Sequence, residues 1–175
     1  MGASSLVVFT EGGAVTLIAI DPGKATGVAV FDGSDPDLPF DGDRLKFADV
    51  CTFEDCRRVI EESAPLRQSK PAGDCIIEVP QVYQGQQQKG DQNDLIALAV
   101  MVGKYAECAK ENRFVVKLVK PREWKGQLPK DVCWRRVRET LTPHELSQIP
   151  KLPKTKAHNM HDAIGLGTWF QKRWR

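Results

Sequence analysis

Val15 to Ile20 and Gly27 to Phe31 are two compact runs of β-branched and aliphatic residues, separated only by Asp21-Pro22-Gly23-Lys24-Ala25-Thr26. Runs of this kind bounded by proline and glycine form strands, and so short a connection returns the second strand beside the first as a hairpin. Gly23 and Gly27 permit backbone angles closed to other residues. Any fold open to this chain must therefore hold an antiparallel pair whose first strand ends in a carboxylate, Asp21. After an acidic loop over 32–43, Arg44 to Val50 alternates well enough to supply a third strand.

Beyond the hairpin the pattern changes to alternating helices and strands. Thr52 can cap a helix running to about Ala64, with Asp55 three residues on and Cys56, Val59 and Ile60 at helical spacing. A Lys70-Pro71-Ala72-Gly73 turn precedes a fourth strand, Cys75-Ile76-Ile77-Glu78-Val79, apolar enough to lie within a sheet covered on both faces. Residues 81–92 are Gln/Gly-rich, without periodicity, and read as a flexible loop. Asp94 to Lys110 is the longest helical pattern, with Leu95, Leu98, Ala99, Val102 and Ala106 on one face and the small Ala97, Gly103 and Ala106 allowing close packing. Phe114 to Val119 gives a fifth strand and Pro129 to Leu141 a basic helix. Thr142-Pro143-His144-Glu145 is a capping box with proline at the first helical position. A Pro/Lys linker, Lys151 to Lys156, leads to a final helix over about 157–172. No internal repeat is visible. The order predicts an α/β fold: a mixed five-stranded sheet flanked by helices on both faces.

With 175 residues, 41% of them hydrophobic and 27% charged, the chain suits one domain over 14–175 behind an N-terminal extension, 1–13. The formal net charge of +2 hides an uneven distribution. Residues 1–103 carry 8 Lys/Arg against 16 Asp/Glu, and residues 104–175 carry 17 against 7. Such asymmetry points to an anionic partner for the second part, nucleic acid being the commonest, unless the charges cancel in three dimensions. The cysteines (51, 56, 75, 108, 133) are odd in number with no Cys-x-x-Cys pair, and no secretory or membrane-spanning run appears. A reduced, cytoplasmic protein with no membrane association is expected.

Three acids stand where acids are costly. Asp21 follows an apolar strand at a glycine turn; Glu78 is flanked by Cys75, Ile76, Ile77 and Val79; Asp162 opens the small-residue run Ala163-Ile164-Gly165-Leu166. Burying such groups requires an Arg or Lys partner or a coordinated metal, and the metal reading is favoured here. His158 and Asn159 precede Asp162 by four and three residues, on the same helix face, with His161 about a quarter-turn away. Oxygen and nitrogen donors around three carboxylates make a divalent-metal site.

These residues carry a resemblance. Ile18-Ala-Ile-Asp-Pro-Gly-Lys-Ala-Thr-Gly-Val-Ala-Val-Phe31 is similar to the first motif of the RuvC family of Holliday junction resolvases, within the ribonuclease H-like superfamily. Cys75-Ile-Ile-Glu-Val79 matches that family's second motif and Asp162-Ala-Ile-Gly-Leu166 its last. The match covers 15–172, which argues for a stand-alone resolvase, and the Gln/Gly-rich loop with Glu78-Val-Pro-Gln-Val-Tyr83 looks closer to bacteriophage-type members. The resemblance implies a homodimer in a bacterial or phage-infected cell, for which the Asp94 to Lys110 helix is the candidate surface. It implies binding of four-way DNA junctions and paired symmetric nicks leaving 5′-phosphate and 3′-hydroxyl ends. Two Mg²⁺ or Mn²⁺ ions per site would serve, Asp21 bridging them, Glu78 holding one and Asp162 the other. No nucleotide cofactor is expected. The Asp-x-Gly loop also occurs in actin-like ATPases, but those need a roughly doubled fold for which this chain has no room.

One departure stands out. The family usually places an acid or histidine three residues before the last aspartate, where this chain has Asn159. His158 takes the ligand role, or Asn159 serves through its carbonyl oxygen, or an engineered Asp-to-Asn change abolishes cleavage. A natural Asn159 that disables the site would instead make the chain a junction-binding protein with weak or disabled catalysis. Candidate DNA contacts are Lys24, Lys89, Lys120, Arg122, Lys125, Lys130, Arg135, Lys154 and Lys156, with Tyr83 as an aromatic that stacks on or wedges between bases, and Lys172 to Arg175 as a possible DNA-contacting tail. Trp124 and Trp134 read as packing anchors.

Overall fold

The computed structural model describes residues 16–33, 44–65, 71–81 and 92–174. Residues 82–91 of the Gln/Gly-rich loop, with Tyr83 and Lys89, lie outside the described residues, and Gln92 already begins the helix that follows. Five strands are present: β1 (Thr16–Asp21), β2 (Thr26–Asp32), β3 (Leu45–Cys51), β4 (Gly73–Glu78) and β5 (Phe114–Val119). They form one sheet in the order β3-β2-β1-β4-β5. β1 to β3 make the antiparallel meander, with Asp21 opposite Gly27 at the hairpin end, and β4 and β5 add in parallel beside β1. The mixed five-stranded α/β architecture expected from the sequence is the one observed.

The helices are α1 (Phe53–Ser63), α2 (Gln92–Glu111), α3 (Pro121–Trp124), α4 (Lys130–Thr140), α5 (Pro143–Ser147) and α6 (Lys154–Phe170). They cover both faces. Strand side chains alternate, so Ile18, Ile20, Cys75 and Ile77 point to a core shared with Cys56 and Ile60 of α1 and Val102, Tyr105 and Ala109 of α2. Leu17, Ala19, Ala29, Phe31 and Ile76 point the other way, onto Trp124, Val137, Met160, Ala163, Ile164 and Leu166.

Local signals explain most of the boundaries. Thr52 accepts a hydrogen bond from the Asp55 amide at 3.2 Å to start α1. At α5 the capping box is complete: Thr142 Oγ1 accepts from the Glu145 amide (3.1 Å), while Glu145 Oε2 accepts from the Thr142 amide (2.9 Å). Two expectations are corrected and one short helix is added. The linker ending at Lys156 is shorter, because Pro153 stands at the cap of α6 and places Lys154 and Lys156 in its first turn. The short α3, begun by Pro121 at its first position, escaped the sequence reading because four residues are too few for a periodic pattern. The buried stripe of α2 runs through Val102, Tyr105, Cys108 and Ala109, not through Ala99, which is exposed, and Ile96 and Val100 face outward.

The C-terminal residues also differ from the DNA-contacting tail expected. Arg173 bridges to Glu145 at 2.6 Å, and Trp174 is buried, its indole N–H donating to Gly165 O and Thr168 Oγ1. A large aromatic and a guanidinium with an internal carboxylate are held more strongly by the fold than by solvent.

Candidate active site

Parallel pairing of β1 with β4 brings the first two acids together. Ile20 is in register with Ile77 and both point to the α1 and α2 side. The next residue of each strand, Asp21 and Glu78, therefore turns to the opposite face, the face covered by α6. There α6 presents the buried Asp162. Three acids 57 or more positions apart in pairs of strand and helix thus converge at the carboxyl ends of the parallel strands, the usual place for a site in an α/β sheet.

A lysine completes the cluster. Lys125 Nζ lies 3.2 Å from Glu78 Oε2 and 3.1 Å from Asp162 Oδ2, with only 15% of its side chain exposed. Lys130 Nζ approaches the same Asp162 oxygen from the rim at 3.9 Å. Trp124 donates its indole N–H to Glu78 Oε2 at 2.6 Å and packs edge-on against Trp174. The Lys125 ammonium sits 4.7 Å from the Trp124 ring centre. Adjacent residues thus hold one carboxylate from two sides.

The electrostatics reflect crowding of like charges in a dry place. Burial, then the neighbouring Glu78 and Asp162, push the Asp21 carboxyl well above the usual range, against the pull of Lys125 and Lys130. Burial likewise raises Glu78, opposed by Lys125 and the Trp124 hydrogen bond. Burial disfavours the Lys125 ammonium, but Glu78 and Asp162 outweigh it and raise its pKa. Beside the cluster, His161 stacks flat on Trp134, ring centres 3.7 Å apart, and burial lowers its pKa to about 4.

The donor set suits a hard divalent cation, since it is composed of carboxylate oxygens converging where positive charge is needed. Among the described residues no three His, Cys, Asp or Glu side chains already stand at metal-binding spacing. The ammonium of Lys125 occupies the space between Glu78 and Asp162, so the basic partner expected as one of the two alternatives for a buried acid is present.

The remaining sequence candidates are distributed as follows. His158 is half-buried on α6. Asn159 turns its amide to the Ala25 carbonyl of the Asp21 loop. Lys125, read from sequence as a phosphate contact, lies inside the cluster. Lys24 is almost fully exposed and pairs with Asp94 at 3.6 Å. Lys120, Arg122, Lys130, Arg135, Lys154 and Lys156 are exposed, on or next to α3, α4 and α6, the helices on the same side of the sheet as the acids. The sequence reading missed the roles of Trp124 and Lys125 toward Glu78. The available signal was their position just after a parallel strand, at the sheet end where Asp21 and Glu78 already pointed.

No protein-family model and no curated protein sequence matches the chain. Solved structures do. The chain superposes on a Thermus thermophilus RuvC structure with a TM-score of 0.53 and 17% identity, covering 91% of this chain and 96% of that one. On T. thermophilus RuvC in complex with Holliday junction substrate the TM-score is 0.58 at 16% identity, with the same coverage. The five-stranded sheet of order β3-β2-β1-β4-β5, flanked by helices on both faces, is the ribonuclease H-like fold of these RuvC structures.

Proposed function

We propose that the chain is a metal-dependent endonuclease for branched DNA, a Holliday junction resolvase that makes paired symmetric nicks as a homodimer. The observation that carries this reading is the convergence of Asp21, Glu78 and Asp162 at one buried point, with cationic side chains drawn to it. Asp21, Glu78 and Asp162 would hold two Mg²⁺ or Mn²⁺ ions. Bound there, the ions supply an activated water and stabilise the charge that develops on the leaving oxygen.

The chain's own residues do the rest. Trp124 and Lys125 both fix Oε2 of Glu78, and packing of Trp124 against Trp174 keeps that orientation from drifting. Lys130, at the rim, and the exposed Lys120, Arg122, Arg135, Lys154 and Lys156 would draw the phosphodiester backbone over the acids by neutralising phosphates. Without such cations, three clustered carboxylates would repel DNA. For the second copy, the exposed Ile96 and Val100 of α2 support the helix as the contact surface, since large apolar side chains on an outer face favour association.

The test is Mg²⁺-dependent cleavage of a synthetic immobile four-way junction. Asp21→Asn should lower the cleavage rate by about 10³-fold or more while leaving junction binding unchanged. Equal cutting by the variant, or an absence of cutting by the unaltered protein on four-way junctions, would refute the proposal.

A further inference from the structure

We propose that Asn159 is a positioning residue that latches the Asp21 loop to α6, and that it is not a ligand of the cations the site binds. The inference rests on the reading of the acidic cluster as a cation-binding centre and assigns the one position at which this chain departs from the RuvC pattern.

The loop between β1 and β2, residues 22–25, carries Asp21 at its start. Asn159 Nδ2 donates to the Ala25 carbonyl, a contact between residues 134 apart in sequence. A carbonyl only accepts, so the amide must present its nitrogen there; a carboxylate in the same place would set two acceptors against each other. The seat is tight. A Cβ on Gly27 would fall 2.0 Å from the Asn159 backbone oxygen, and one on Gly23 would fall 3.4 Å from Asn159 Nδ2. The helix backbone at Asn159 thus rests directly on the hairpin at Gly27, and the side chain reaches the loop.

The other side of the loop is held as well. Thr26 Oγ1 lies 2.8 Å from the buried Tyr105 hydroxyl of α2, donates to Gly23 O at 3.3 Å and accepts from the Gly23 amide at 3.4 Å. Tyr105 is in turn packed on Phe53, ring centres 5.2 Å apart. Two helices on opposite faces of the sheet therefore grip adjacent residues, α6 at Ala25, the last of the loop, and α2 at Thr26, the first of β2. Asp21 is thus followed by a loop that is held from both faces of the sheet. An amide performs this task and an acid does not, which gives the asparagine a role of its own rather than that of a weakened ligand.

Hydrogen exchange and calorimetry of the full chain test both halves. In the metal-free protein, backbone amides of residues 23–26 should exchange about fivefold faster in Asn159→Asp and in Asn159→Ser, with those of β4 unchanged. In a Mn²⁺ titration, Asn159→Asp should bind no more tightly than the unaltered protein. Unchanged loop exchange in Asn159→Asp overturns the latch, and Mn²⁺ bound about tenfold more tightly by that variant overturns the exclusion of residue 159 from the ligand set. Should the unaltered protein bind no Mn²⁺, the cation-centre reading fails on its own and the exchange comparison still decides the latch.

Discussion

Lys125 carries the charge balance of the site. Its ammonium is the nearest cation to Glu78 and Asp162 among the described residues, and Asp21 behind them is held above its ordinary pKa by burial and then by the two acids. Removing one member of a buried ion pair leaves the rest uncompensated, at a cost of about 3–5 kcal/mol. Lys125→Met, which keeps much of the stem's volume, should therefore lower the unfolding free energy of the metal-free protein at pH 7 by about 3 kcal/mol. Mn²⁺ should restore a large part of the loss, because a bound ion supplies the missing charge and stabilises the folded state by mass action. Denaturant unfolding with and without Mn²⁺ measures both effects; a variant as stable as the parent without metal would show that Lys125 is not the counterion. The acids themselves were legible in the sequence, because a carboxylate inside an apolar strand or a small-residue helix is anomalous. The lysine was not. Surrounded in sequence by Lys120, Arg122 and Lys130, it reads as one more phosphate contact, and only the fold separates it from them.

At the scale of elements, the close packing expected of the small residues in α2 is made instead by those of α6. Gly103 in α2 appeared to allow close packing, yet a Cβ there would meet nothing within 4 Å. The close approach is made by α6. A Cβ on Gly167 would fall 2.1 Å from the Phe31 ring of β2, and one on Gly165 would fall 2.8 Å from the Trp124 ring. Since α6 carries Asp162 and Asn159, these glycines set the distance between the last acid and the strands that bear Asp21 and Glu78. Gly167→Ala should thus destabilise the protein by about 1–3 kcal/mol through overpacking, with the larger loss in cleavage if the helix is displaced. Gly103→Ala should stabilise it by about 0.5–1 kcal/mol, as an exposed helix interior gains from alanine. Thermal unfolding of the two variants, side by side, checks the opposite signs. Glycine identity alone could not distinguish the sites, because what differs is the partner each helix meets: Gly103 faces outward, whereas Gly167 faces an aromatic ring 136 positions earlier in the chain.

For the whole molecule, the capping box at Thr142 was legible, but not the larger task of its glutamate. Glu145 is fully buried and accepts from the Arg44 and Leu45 amides at the start of β3 (2.9 and 2.8 Å), from Thr142, and from Arg173 near the C-terminus. One carboxylate thus ties an edge strand, a helix start and the tail, residues about 100 positions from β3 and 28 from Arg173. A local motif shows its local partners only; the tail charge that looked suited to DNA is spent on this junction. Although burial opposes ionisation, the Arg173 and backbone hydrogen bonds outweigh it and lower the Glu145 pKa from 4.5 to about 2. A group whose pKa falls on folding contributes stability above its unfolded value, and that contribution is lost as pH falls through the folded value. The lowering corresponds to about 3 kcal/mol at neutral pH. Glu145→Gln removes the titration while keeping the shape. The stability gap between parent and variant should be full at pH 7 and shrink steadily from about pH 4.5 toward pH 2, because the parent alone must take up a proton there. Comparing the two proteins at each pH cancels the opposite trend of Asp21 and Glu78, whose raised pKa values favour the folded state at lower pH. Urea unfolding from pH 7 down to pH 3 reads the gap directly, and a gap that stayed constant over that range would show that the Glu145 charge does not hold the three segments together.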